Sequence, residues 1–187
     1  MLIAETPRLL LRHFHIVDSD AMERVFCDPE VMKFGNGAQS PEWVRKWIRG
    51  CLEDYHTKWG FGLYAVVEKN ARQTIGFCGL SRFDDVGGRA ETEIGYRLAR
   101  AHWGKGLATE AACAVRDLGF GLLGLSRLIS IIDPRNAASV RVAEKVGMKF
   151  EKNVVFQGYD DSIYSIERSE IPPAGTANAT ALSPPRG

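Results

Sequence analysis

The sequence predicts a single domain of the α/β (α+β) class: a mixed sheet of six or seven strands with helices packed on it. Three observations carry this. Short apolar or alternating stretches recur between residues 8 and 168 and read as strands. Between them lie stretches whose apolar residues recur at helical spacing. Near the middle, Gly104-Lys105-Gly106 sits between a strand-like segment and a helix-forming run.

The elements follow in order. Residues 8–14 alternate as a first strand. Asp18 can cap a helix running to about Cys27, with Ala21, Met22, Val25 and Phe26 inward, and Asp28-Pro29 ends it. Ser40-Pro41 restarts a helix, serine as the cap and proline in the first turn; Val44, Trp47, Ile48 and Cys51 share its apolar side. Trp43 and Trp47 adjoin on that helix. Core packing is the plainer reading of them, one wall of a substrate pocket the sharper. Residues 61–68 and 73–84 form a strand pair joined through Lys69-Asn70-Ala71-Arg72, and Gly87-Gly88 marks the next turn. Residues 90–98 are the central strand. The helix after Gly106 places Leu107, Ala111, Val115 and Leu118 inward and ends near Gly119 or Gly121. Residues 126–132 are an apolar, β-branched run that fits a buried strand. A helix over Ala137–Val146 stops at Gly147, and strands near 149–157 and 160–168 close the domain around Gly158-Tyr159-Asp160. The domain spans 1–169. The Pro-, Ala- and Thr-rich tail, 170–187, is expected to be disordered.

Composition narrows the function classes. The chain has 187 residues, and an apolar fraction of 45% supports a sizeable core. Its 24 basic and 23 acidic residues give a net charge of +1, so it lacks the basic footprint of a nucleic-acid binder. Cys27, Cys51, Cys78 and Cys113 form no CxxC pair, and His13, His15 and His56 show no ligand spacing, so no metal is expected. Reduced thiols, no signal peptide and no apolar span of membrane length give a cytoplasmic expectation, without a membrane partner.

The glycine stretch is an anion trap by construction. The first N–H groups of a helix lack internal partners, the helix dipole adds roughly half a positive charge, and glycine admits a phosphate to the backbone. Lys105 adds a mobile cation. A dinucleotide fingerprint begins alike, but it needs a third small residue and an acidic residue roughly 20 positions on. Ala108 or Thr109 could serve as the former; Asp133 lies too far away and in a turn. A plain strand–helix connection without a ligand is the other alternative.

Downstream residues favour an acyl donor. Trp-Gly-Lys-Gly-x-Ala-Thr-Glu-Ala from Trp103, Asp-Pro-x-Asn-x-x-Ser from Asp133 and Glu-Lys-x-Gly from Glu144 resemble the GNAT N-acetyltransferases. The opening Glu5-Thr6-Pro7-Arg8-Leu9 is similar to the RimJ/RimL-like branch. The resemblance covers roughly residues 5–168. It implies a GNAT-like, mostly antiparallel sheet whose fourth and fifth strands, 90–98 and 126–132, splay apart, usually beside a β-bulge, to admit acetyl-CoA. The amides of Gly104, Lys105, Gly106, Leu107, Ala108 and Thr109 would hold the pyrophosphate. The motif's usual Arg or Gln is replaced by Trp103, a familiar variant in this branch.

The resemblance also implies that the backbone of Tyr96, Arg97 and Leu98 pairs with the pantetheine arm, with the Leu98 N–H able to polarise the thioester carbonyl. An ammonium acceptor must lose a proton before it attacks, and Glu93 is the candidate base, with Glu91 the lesser one; alternation puts both on one face with Gly95. A salt-bridged strand glutamate is the ordinary alternative. Many members carry a tyrosine seven residues after the motif asparagine; Ala143 stands there, so the proton donor to the leaving sulfur would be Ser139, and Asn136 would bind the pantetheine. Helix capping is the ordinary reading of Asn136 and Ser139. His102, Cys78, Arg135 and Arg141 are weaker candidates, readable as polar flank, packing or surface. The function so implied is transfer of acetyl from acetyl-CoA to a primary amine, a protein N-terminus or a small molecule, by direct transfer in a ternary complex. A homodimer is compatible with the family. A non-catalytic acyl-CoA-binding module is the rival.

Overall fold

A computed structural model of the chain describes residues 1–55 and 59–170. The tail beyond Glu170 and His56, both read above, lie outside the described residues.

One sheet of eight strands forms the middle layer: β1 (Leu2–Glu5), β2 (Leu9–Arg12), β3 (Leu63–Glu68), β4 (Gln73–Phe83), β5 (Glu91–Leu98), β6 (Arg127–Ile132), β7 (Lys149–Phe156) and β8 (Tyr159–Glu167), in the order β1-β2-β3-β4-β5-β6-β8-β7. Every neighbouring pair is antiparallel except β5–β6. The sheet is mixed and mostly antiparallel as expected, with one strand more than the six or seven read. The extra strand is β1, which folds back at Thr6-Pro7-Arg8 to set Leu2 against Arg12 and Glu5 against Leu10. Four residues of mixed polarity give too short an alternation to be read. The final hairpin turns at Gln157-Gly158, both with positive φ, one residue earlier than Gly158-Tyr159-Asp160 suggests.

Among the described residues four α-helices cover the two faces: α1 (Ser19–Phe26), α2 (Pro41–Gly50), α3 (Leu107–Gly121) and α4 (Ala137–Val146). Alternation along β3 assigns the faces. Leu63 and Ala65 pack with Met22, Phe26, Val44 and Ile48 of α1 and α2, whereas Tyr64 and Val66 pack with the core that includes Leu107, Ala111 and Val115 of α3. Ser40 caps α2, its side chain accepting from the Trp43 amide at 3.2 Å. Asp18 does not cap α1 through its side chain. Its buried carboxylate turns back to the Arg12 guanidinium (2.7 and 2.8 Å), the Thr74 hydroxyl (2.7 Å) and the His15 amide (2.8 Å). Trp47 packs edge-on against Phe14 and Phe26, and Trp43 stacks on it. Neither lines the central cleft; Trp47 packs against the core, while Trp43 is exposed at its edge.

The sheet opens in the middle. β5 and β6 share a single paired position, Glu93 opposite Ile129, and the second half of β5 diverges from β6. No bulge accompanies the opening in the β4–β5 ladder, whose register runs unbroken from Gly76↔Leu98 to Phe83↔Glu91. The register shift lies one ladder away, between β3 and β4, where Val66 faces Gly76 and Val67 faces Thr74.

Candidate active site

The opening is the floor of a cavity of about 750 Å³, lined by the second half of β5, the loop into α3, the end of β6, the first turns of α4 and residues 30–34 between α1 and α2. On its α3 side the cradle is made of backbone. Gly104 and Gly106 adopt left-handed φ of 72° and 76°, a conformation that a side chain disfavours. Gly106 is the N-cap of α3 and no side chain caps the helix. The first intrahelical bond runs from the Glu110 amide to the Gly106 carbonyl (3.1 Å), so the amides of Leu107, Ala108 and Thr109 precede it, in the stretch that lines the cavity. Lys105 is exposed and its side chain lies outside the lining.

Two contacts hold this loop. The Trp103 indole donates to the Leu98 carbonyl (2.7 Å), tying the loop to the end of β5. Glu110 accepts from the Thr6 hydroxyl (2.6 Å), the Arg8 amide (2.9 Å) and Arg8 Nε (2.6 Å), while Arg8 Nη1 donates to the Lys105 carbonyl (2.8 Å). Thr6 and Arg8 carried part of the resemblance without an assigned role; they brace the cradle from the far end of the chain.

The backbone of β5 faces the gap only in part: Arg97, read with Tyr96 and Leu98 for the pantetheine arm, directs its N–H and C=O to Phe77 of β4 instead. The Ala99 amide donates to the Ile75 carbonyl (2.8 Å), which makes that pair the hydrogen-bonded kind. By alternation, the N–H and C=O of Leu98 and Tyr96 then point away from β4 toward the opening, the Leu98 carbonyl being taken there by the Trp103 indole.

Glu93 and Glu91 share a face but not an environment. Glu91 is buried in a charge cluster, with Arg89 at 3.0 Å and Arg127 at 3.1 Å, the latter also bound to Glu167 (2.9 Å). It is spent on structure and does not reach the cavity. Glu93 lines the cavity, its Oε1 accepting from the Ile131 amide at 3.3 Å. Burial pushes its carboxyl up to about 7; the Ile131 amide and the Arg97 charge hold it back, and Asp161 adds to the rise. A carboxyl with that affinity is poised to exchange protons near neutral pH.

Across the gap, Asn136 caps α4, its Oδ1 accepting from the Ser139 amide at 3.1 Å. The ordinary cap reading therefore holds for the Asn136 oxygen and for the Ser139 backbone. The Ser139 hydroxyl is not consumed by the cap. The Tyr96 hydroxyl is enclosed and has no partner in hydrogen-bonding geometry. Burial pushes its phenol up to about 12, offset in part by Ser139. Tyr96 and Arg97 were read for their backbones alone; their side chains also line the cavity. Arg97 is half-buried, and burial lowers its pKa against the opposing pull of Glu93. Cys78 is wholly buried, its thiol pushed up by desolvation, which suits packing rather than attack. His102 sits 3.6 Å from Glu68, Arg135 is taken by Asp133 (2.6 Å), and Arg141 lines the cavity. Among the described residues no three His, Cys, Asp or Glu side chains gather to hold a metal, and no helix is long and apolar enough to cross a membrane.

A sheet parted between two parallel strands, beside an uncapped helix start, is the arrangement that the resemblance to acetyltransferases implies. The chain belongs to the GNAT family: the model of the acetyltransferase (GNAT) domain matches residues 8–149. The chain is 32% identical to the uncharacterized N-acetyltransferase p20 of Bacillus licheniformis, over 83% of this chain and 85% of that one. It is 35% identical to the uncharacterized protein YkkB of Bacillus subtilis, over 70% and 74%. The crystal structure of a GNAT-family acetyltransferase from Bacillus anthracis superimposes with a TM-score of 0.76 at 28% identity, covering 91% of this chain and all (100%) of that one. The family uses acetyl-CoA.

Proposed function

We propose that the protein is an N-acetyltransferase of the RimJ/RimL-like branch that moves acetyl from acetyl-CoA directly to a primary amine within a ternary complex. The single observation that carries the catalytic half is Glu93: a carboxyl with a raised pKa, unpaired with any cation at contact distance among the described residues, in the cavity where the sheet opens. Three features fit the acyl donor. They are the uncapped amides of residues 107–109, the gap-facing backbone of Tyr96 and Leu98, and an enclosed Tyr96 hydroxyl in want of an acceptor. When bound, acetyl-CoA supplies an activated acetyl group and a thiolate leaving group.

The chain's residues do the rest. The amides of Gly104 to Thr109 neutralise phosphate charge. The Leu98 N–H stabilises negative charge on an acyl oxygen. Glu93 takes the proton that the ammonium sheds, directly or through one water. The Ser139 hydroxyl donates to the sulfur, and the Tyr96 hydroxyl, held neutral by its high pKa, donates a second hydrogen bond there. The net change replaces one amine N–H by N–acetyl and leaves a thiol, so no oxidant or reductant is needed. The acceptor is either a small amine or a protein N-terminus. Escherichia coli spermidine N(1)-acetyltransferase shares 32% identity with this chain over about half of each, 49% and 48%.

The test is thiol release from acetyl-CoA by purified protein offered a panel of amines and N-terminal peptides. Release that depends on one acceptor class is the expected result. Tight acetyl-CoA binding with no transfer to any member would replace the enzyme with a binding module.

A further inference from the structure

We propose that the acceptor of this cleft is an amine that also carries a carboxylate, and that the Arg97 guanidinium binds that carboxylate. The inference rests on the acetyl-transfer reading and names its substrate class.

Arg97 lies on the same face of β5 as Glu93, with Gly95 between them. A Cβ on Gly95 would sit 3.5 Å from Glu93 Oε2, so glycine keeps the floor between base and cation bare. This face turns toward α1, α2 and their connection, away from the α3 cradle. Arg97 Nη1 contacts Met32 Sδ (2.7 Å), and a Cβ on Gly35 would meet Arg97 Nη2 at 2.6 Å. The guanidinium thus sits under the connecting loop at the acceptor end of the cavity.

Its charge has no counterpart there. A guanidinium offers five N–H donors, and a thioether is a weak acceptor. Among the described residues Met32 is its one hydrogen-bond partner, and no carboxylate lies within ion-pair distance. Two other half-buried guanidiniums are met by acids, while among the described residues Arg82 has only the Thr92 hydroxyl (3.2 Å). Arg12 has Asp18 at 2.7 Å, and Arg127 has Glu91 at 3.1 Å and Glu167 at 2.9 Å. A half-buried cation without a contact anion is costly unless a ligand completes it.

The other charges around the acceptor end do not supply that anion. Glu30 and Lys33 are exposed at the rim with opposite signs, and Asp133 is bound to Arg135. Glu93, once it holds the proton taken from the amine, is neutral. Asp161 acts on Glu93 from the β8 side, and Arg97 is then the cation nearest the acceptor end, which repels a polycation and attracts an oxyanion. A single planar guanidinium pairs bidentately with a carboxylate. The acceptor is therefore a zwitterion: its amine addresses Glu93 and its carboxylate addresses Arg97.

The experiment uses the full chain and begins with CoA binding by calorimetry. Binding to the CoA-saturated protein, and kcat/KM with acetyl-CoA, are then measured for α-amino acids and ω-amino carboxylates of increasing length. Each is paired with its neutral amide, and spermidine and an aminoalkylphosphonate complete the set. At least one carboxylate should exceed its amide by about tenfold or more in both affinity and kcat/KM. Arg97→Gln should bring that ratio near one, and Arg97→Lys should keep part of it; the ratio within one variant cancels any general loss of folded enzyme. A ratio near one in the wild type, preference for spermidine or the phosphonate, absence of carboxylate binding to the CoA complex, or a ratio that survives Arg97→Gln would each overturn the inference. Absence of CoA binding would instead overturn the acetyl-transfer reading on which it stands.

Discussion

The two walls of the cleft are built differently. The cradle wall is one contiguous run, Trp103 to Glu110, and its chemistry is backbone: two left-handed glycines and a helix start without a side-chain cap. The acceptor wall is assembled from side chains that the sequence scatters. Glu93 and Arg97 come from β5, and Met32 and Gly35 from the α1–α2 connection. Backbone conformation tolerates wide change in side chains, so a family can share one donor site. Side chains from distant segments can be exchanged one at a time, which is how members of a family come to differ in acceptor. Glu91 and Glu93 repeat the contrast within one strand: two residues apart, one is locked by arginines and the other is left in the cavity.

Damage to the two walls should therefore separate donor binding from chemistry. The largest effect is expected for Gly106→Val. A β-branched residue at a φ of 76° is strained and stands where the cradle must be open, so CoA affinity should fall on the order of 100-fold or more. Calorimetry on a variant with native circular dichroism checks this, and an unchanged affinity would sink the cradle assignment. Glu93→Gln should do the reverse, cutting kcat/KM by about 100-fold at neutral pH while acetyl-CoA affinity holds. Since Glu93 must be ionised to act and its carboxyl sits at about 7, the wild-type kcat/KM should fall as pH drops through that value. The variant's deficit should shrink at high pH, where the amine loses its proton unaided.

The same substitution reports on stability. The folded carboxyl binds its proton more tightly than the ordinary value of 4.5, so folding loses stability as pH rises from that value to about 7. Glu93→Gln removes this loss, and thermal melts should show the variant a few degrees above wild type at pH 8 and level with it near pH 4.5. A pH-independent difference would place the cost elsewhere. Tyr96→Phe should lower kcat by about tenfold with acetyl-CoA affinity little changed, since it removes one hydrogen bond to the sulfur. An unaltered kcat would leave the sulfur to Ser139 alone. The smallest effect belongs to Glu110→Gln, which loosens the brace from Thr6 and Arg8 without touching the amides. A few-fold weaker CoA affinity is expected, read by the same titration.

Much of this was legible in one dimension because its causes are local. Ser40 and Asn136 cap their helices through the very next turn, and Gly106 starts α3. Where a long-range partner decides, local reading went astray. Asp18 has the residue type and place of a cap, yet Arg12 and Thr74 claim its carboxylate. The strand β1 exists because β2 offers it a ladder. Trp43 and Trp47 pack on aromatic neighbours instead of walling the cleft.

Alone, then, the sequence determined the order of the strands and helices after β1, the left-handed glycine turn into α3 and the short list of glutamates, because periodicity, capping and backbone freedom act over a few residues. It could place Glu91 and Glu93 on one face and go no further. Only the tertiary structure brought Arg127, from β6, to one of them and the Ile131 amide to the other. A carboxyl's proton affinity is set by the charges and solvent within a few ångströms, and those are chosen by how distant strands meet.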